Sequence, residues 1–105
     1  MITVTVTRAG RRVNRVEIKG HAGYAKFNKD IVCAAISSIA QTALLGIMKY
    51  SDNKVDYTMG EDGYLRFTVP DGDNNEVVDA IVETMILGIK DVEAGYGTFV
   101  KLEEK

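Results

Sequence analysis

Apolar and polar residues alternate strictly over Ile2-Thr3-Val4-Thr5-Val6-Thr7, a period of two in β-prone residue types that predicts a strand. Ala9-Gly10-Arg11-Arg12 supplies a turn. Val13–Lys19 then alternates again, with Val16 and Ile18 on one side and Arg15, Glu17 and Lys19 on the other, so the chain opens with a hairpin. From Asp30 the period changes. In IVCAAISSIAQTALLGIMKY, Val32, Ile36, Ile39, Ala43 and Ile47 make an apolar helical face, while Ser37, Ser38, Gln41 and Thr42 make a polar stripe. The run is long enough for a membrane span, but the stripe predicts a helix with one buried side, capped by Asp30.

A second hairpin is predicted from Val55–Gly60 and Tyr64–Val69 around Glu61-Asp62-Gly63, where Gly63 permits a positive φ. Pro70 and Gly72 end it. Asp73-Asn74-Asn75-Glu76 has the spacing of a capping box with Asp73 as the cap. The stripe Val78, Ile81, Val82, Met85, Ile86, Ile89 and Val92 then predicts a second helix, ended by Gly95 or Gly97, whose apolar side is core or a dimer seam rather than a cofactor site. Tyr96–Leu102 is the last predicted strand, before a charged tail. The order β-β-α-β-β-α-β implies one α+β domain over residues 1–105, a mostly antiparallel sheet with two packed helices.

Composition narrows the class. A chain of 105 residues supports one core. Hydrophobic content of 46% with 27% charged residues and a single proline excludes a disordered or fibrous chain. The first residues lack the apolar run of a signal peptide, so export is not expected. One cysteine can form no internal disulfide and, with one histidine, no zinc cluster. A cytoplasmic protein with no metal and no cofactor is expected.

The net charge of −2 hides an asymmetry: residues 1–29 sum to +6 and residues 30–105 to −8. The basic end could meet an acidic partner such as RNA. The plainer reading is that Arg8, Arg11, Arg12 and Arg15 solvate the hairpin tip. The absence there of stacking aromatics and of a nucleic-acid motif favours it.

The single histidine and single cysteine both fall within GHAGYAKFNKDIVCAA, Gly20–Ala35. With a helix starting just after Asp30, Cys33 is its third residue, near the positive end of the dipole, where a thiolate is favoured. Steps of four put Cys33 in one row with Ser37 and Gln41, on the polar side. His21 lies between Gly20 and Ala22-Gly23, and eleven residues separate it from Cys33. Such a segment spans up to ~35 Å when extended and can fold the imidazole back to the sulfur. The segment from Gly20 through Gly23, Tyr24, Phe27 and Asn28 fits a cover over a site. Against this stands the commoner fate of a lone cysteine, a small buried hydrophobe, and of a lone histidine, an incidental polar residue.

The chain resembles the ribosomal-processing cysteine proteases (Prp). The resemblance rests on Gly20-His21-Ala22, a loop, Asp30-Ile31-Val32-Cys33-Ala34 and Ser37 four residues beyond the cysteine, and it extends to chain length, element order and a final aromatic-basic segment, Tyr96–Lys101. It implies a cytoplasmic, homodimeric endopeptidase that removes the amino-terminal extension of large-subunit ribosomal protein twenty-seven after an aromatic-containing sequence. It implies Cys33 as nucleophile and His21 as general base and then acid, with Asp30 and Ser37 in support. Backbone amides of Cys33 and its neighbours are candidate oxyanion donors. One departure is Asn28, where the family often has glycine; asparagine tolerates a left-handed backbone.

Two other classes are open on the residues alone. A ribosome-associated binding module would use the basic hairpin on RNA or protein, and its RNA affinity would fall steeply with salt. A redox sensor would need an outside thiol to resolve a sulfenic acid, since no second cysteine exists.

Overall fold

The computed structural model describes residues 1–20 and 27–105, leaving aside the side chains of residues 27–30 and of Asp62. Strands β1 (Ile2–Ala9) and β2 (Arg12–Lys19) form the predicted hairpin, with Gly10 at φ +67° in the turn and a register shift at Thr7/Arg8. Helix α1 covers Phe27–Tyr50, followed by β3 (Asp56–Met59), β4 (Leu65–Thr68), α2 (Asn75–Tyr96) and β5 (Val100–Glu104). The five strands lie in the order β3-β4-β2-β1-β5. All neighbours are antiparallel except β1 and β5, which are parallel.

One side of the sheet is buried and the other faces water, as the alternation requires. Ile2, Val4 and Val6 of β1, Val16 and Ile18 of β2, Leu65 and Phe67 of β4, and Val100 of β5 are all buried. Both helices close over that side. α1 contributes Val32, Ile36, Ala40, Ala43, Leu44 and Ile47, and α2 contributes Val78, Val82, Met85, Ile86 and Ile89. Residues Ile31–Tyr50 are long and apolar enough to cross a membrane by length and composition, with a mean hydropathy of 2.0. Here the apolar side of that segment is packed on the sheet and on α2.

The helices run antiparallel, and glycines set their closest approach. A side chain at Gly46 would sit 3.2 Å from Ile81 Cδ1, and one at Gly88 would sit 3.5 Å from Ile39 Cγ2. Each helix thus presents an isoleucine to a glycine of the other, and the dispersion gained by that close fit depends on the missing methyl.

Three predicted boundaries move. First, α1 begins at Phe27 rather than after Asp30. No glycine or proline follows Gly23 to stop the helix winding back by a turn, so Asp30 is a residue of the helix and not its N-cap, and Asn28 is helical rather than part of a loop. Second, Asn74 is the cap of α2 and makes no side-chain capping bond. Instead Asn75 Oδ1 accepts from the Gly72 amide at 2.9 Å, and Asn75 Nδ2 donates to Asp71 Oδ1 at 2.8 Å. Asn74 Nδ2 donates to the Tyr50 carbonyl at 2.9 Å, so the two asparagines stitch this end to the preceding turn and to α1 and displace the Asp73/Glu76 capping box. Third, α2 ends at Tyr96 with Gly97 as its C-cap, one of the two predicted stops, but the last strand starts only at Val100 and takes in the supposed charged tail. Tyr96 therefore belongs to a helix and not to a final strand. The Glu61–Gly63 connection is a single 3-10 turn with Gly63 at φ +78°, as its sequence requires.

Candidate active site

The start at Phe27 makes Cys33 the seventh residue of α1. Its amide lies beyond the first four, which alone lack intrahelical acceptors, and the field of a helix end decays within about a turn. The Cys33 amide is thus not an oxyanion donor, and the helix end contributes less to its thiolate than a third position would. The side chain lies at the margin of the core: it packs against buried apolar neighbours and remains partly open. It is neither sealed in the interior nor fully solvated.

Along α1, Cys33 and Ser37 are half-buried and Gln41 is exposed, so the predicted row exists on the helix flank. That flank forms one wall of a cleft of about 180 Å³, lined by Ser37, Ala40 and Gln41 of α1, Ile18 of β2, and Met59, Gly60 and Tyr64 of the β3–β4 region. Cys33 lies one helical turn, about 6 Å along the axis, from Ser37. The opposite wall is braced from the far side of the sheet. Tyr64 donates its hydroxyl hydrogen to Glu17 Oε2 at 2.8 Å, and Arg15 approaches the same carboxylate oxygen at 3.5 Å. The bond to Glu17 raises the tyrosine pKa above its ordinary value.

Gly20 ends β2 on this side of the molecule. Its φ of +86° lies in the left-handed region, and a Cβ there would run into the carbonyl oxygen of Met1. The position requires glycine twice over. His21, Ala22 and Gly23 lie outside the described residues. Asp30 and Asn28 are placed in the first turn of α1 by their backbone. The helical period that the sequence shows puts Cys33 and Ser37 in one row of α1. It gave no sign of Ile18, Met59, Gly60 or Tyr64, which meet α1 only through tertiary packing.

A second, larger groove of about 930 Å³ runs between the helices on their outer side, past Ser38, Thr42, Gly46, Ala80, Thr84 and Gly88. Among the described residues its lining holds no nucleophile beyond hydroxyls, and Cys33 lines neither this groove nor the smaller cleft.

The basic hairpin has a structural use. Arg8 holds Glu83 with both terminal nitrogens, at 2.8 and 3.0 Å, and Glu104 at 3.3 Å. Arg12 holds Asp79 through Nε and Nη2, and its Nη2 also donates to the Pro70 carbonyl at 3.0 Å. The positive first third thus docks against the negative α2 and β5, and two of the four arginines that made an RNA surface conceivable are turned inward to carboxylates.

A half-buried thiol one helical turn from a cleft, carried by the first helix of a two-layer α+β domain, fits the class of small thiol enzymes. The family model described as cysteine protease Prp matches residues 1–101, and the chain belongs to that family: it is a cysteine protease. A relative from Staphylococcus aureus described as ribosomal processing cysteine protease Prp is 28% identical over 107 residues, covering 100% of both chains. A crystal structure of S. aureus Prp in complex with a substrate peptide superposes with a TM-score of 0.89 at 26% identity, covering 100% of both chains. One with a covalently linked product peptide superposes with a TM-score of 0.87 at 27% identity over the same extent.

Proposed function

We propose that this protease removes the amino-terminal extension of large-subunit ribosomal protein twenty-seven, with Cys33 as nucleophile and His21 as general base and acid. The observation that carries the reading is the placement of Cys33: half-buried on the flank of α1, in one row with Ser37, which lines a cleft of about 180 Å³. The substrate and product complexes of the S. aureus relative support peptide cleavage through covalent catalysis.

In this mechanism His21 takes the thiol proton and Cys33 Sγ attacks the scissile carbonyl carbon. The tetrahedral oxyanion collapses as the imidazolium protonates the departing amine, which leaves a thioester. A water, deprotonated by His21, then attacks the thioester, and the sulfur leaves. Because Cys33 sits two turns into α1, activation falls mainly on the imidazole. Asp30 and Ser37 support the pair, and Ser37 does so from the cleft wall. The single cysteine fits a reducing cytoplasm, and the active form is a homodimer.

The test is cleavage of a synthetic extension peptide, followed by mass spectrometry. Cys33→Ala abolishes cleavage while the circular dichroism spectrum stays native, and His21→Ala lowers kcat/KM by roughly 100-fold or more. Normal turnover by Cys33→Ala would remove the assignment.

A further inference from the structure

Strand β3 is the outermost strand of the sheet. Among the described residues, no strand pairs with its other side, and all four of its residues are exposed. Long open edges are pairing templates, and soluble proteins usually blunt or cover them.

The register shows what this edge presents. Gly60 donates its amide hydrogen to the Tyr64 carbonyl at 3.0 Å, which makes Gly60 and Tyr64 a hydrogen-bonded pair of the β3–β4 ladder. Pairs alternate in an antiparallel ladder. With Thr58 opposite Arg66 and Asp56 opposite Thr68, those residues bond inward, and the amides and carbonyls of Tyr57 and Met59 point to the open side. The other side of β4 gives the same parity. The Val69 amide bonds the Asn14 carbonyl at 2.8 Å, so Phe67 and Leu65 use their backbone toward β2 and leave Arg66 and Thr68 for β3.

Side chains follow the same parity. Tyr57 and Met59 lie opposite Phe67 and Leu65, whose side chains are buried on the helix side, so Tyr57 and Met59 face that side too. They are 42% and 48% exposed and form an apolar ledge at the sheet edge. Met59 and Gly60 also line the cleft that holds Ser37, one turn from Cys33. The open backbone and the apolar ledge are therefore continuous with the cleft at Ser37, one helical turn from the nucleophile.

We propose that the substrate binds as a sixth strand on the free side of β3, bonding the backbone of Tyr57 and Met59 and laying every second side chain on their ledge. The occupant this selects is an extended peptide with apolar side chains at alternate positions near the scissile bond. Main-chain pairing supplies affinity and the ledge supplies selectivity. The inference rests on the proteolytic reading above and adds the mode of substrate binding to it.

The test is an N-methyl scan of the extension peptide, one amide at a time, with kcat and KM measured on the wild-type enzyme. Strand pairing predicts an alternating profile: methylation at every second residue raises KM roughly tenfold, and methylation at the residues between leaves it unchanged. A second arm uses Tyr57→Pro, which removes one outward amide without touching the β3–β4 ladder; KM rises by a similar factor. If that variant does not fold, the scan decides alone. A peptide cut by the wild type with no two-residue alternation overturns strand addition and leaves the protease reading standing. A wild type that cuts no peptide of the series overturns the substrate proposed above, and this inference with it.

Discussion

Arg12 clasps Asp79 with Nε at 3.0 and 2.9 Å from the two carboxylate oxygens and with Nη2 at 2.8 Å from Oδ1, tying the first hairpin to α2. Both side chains are about one-third exposed, at 28% and 32%, so this is not a freely solvated surface pair. The planar guanidinium also reaches the Pro70 carbonyl, a geometry that a point-charge ammonium cannot reproduce. Arg12→Lys is expected to cost about 1 kcal/mol, and Asp79→Ala, which strands the guanidinium, about 2 kcal/mol. Urea unfolding midpoints check both, with unchanged m-values. Equal stability of all three proteins would mean that the clasp is ornamental.

The partner clasp at Arg8 gives a pH dependence. The bond to Arg8 lowers the Glu83 pKa below its ordinary value of 4.5. A carboxylate whose folded-state pKa is depressed contributes stability above its unfolded pKa, and that contribution fades as pH falls through the folded value. Glu83 is 44% exposed, so the effect is small. Comparing thermal midpoints of wild type and Glu83→Gln across an acid titration, the gap between them is expected to be open at neutral pH and to close well below 4.5. A gap that widens on acidification contradicts the assigned direction.

Much of the fold was legible because it is local. The period-two strands, the helical stripes and the turn glycines each write their rule into neighbouring positions, and all seven elements form in the predicted order. The first turn of α1 was misread because Asp30 is a good cap by type, while nothing between Tyr24 and Lys29 forbids a helix. The α2 cap was misread for a related reason: Asn74 and Asn75 have long-range partners, Tyr50 among them, that outcompete a local box. The charge asymmetry was visible, but its meaning was not. Opposite charges 67 and 75 positions apart pair across the fold, and no window along the chain shows that. At the site, the row of Cys33 and Ser37 follows from helical period alone. The facing wall at Met59, Gly60 and Tyr64 comes from sheet packing and left no sequence trace.

Gly20 links the fold to the chemistry. Any side chain at this position meets both a left-handed backbone and the Met1 carbonyl oxygen, and the carbonyl is backbone that cannot swing aside. Gly20→Ala is expected to destabilise by about 2 kcal/mol. It also shifts the end of β2, and the next residue in the chain is His21. In the mechanism proposed above, kcat then falls even at temperatures where the variant is fully folded. Calorimetry and peptide turnover on one preparation separate the two effects. Native stability with native turnover would show that β2 ends without the stated constraint.

Tyr64 tests the cleft wall itself. Its hydroxyl bonds Glu17, and the neighbouring carboxylate raises the tyrosine pKa above its ordinary value. Tyr64→Phe keeps the ring and removes only that brace, while Glu17 keeps its contact with Arg15. The brace acts on the wall and not on Cys33, so the expected result is a KM several-fold higher with kcat nearly unchanged, corresponding to about 1 kcal/mol. Glu17→Gln, whose amide oxygen still accepts from the tyrosine, should recover most of the lost affinity relative to Glu17→Ala. A fall in kcat with KM untouched would instead move Tyr64 into the chemical step. No change in either constant would show that the Met59–Tyr64 wall does not touch the peptide.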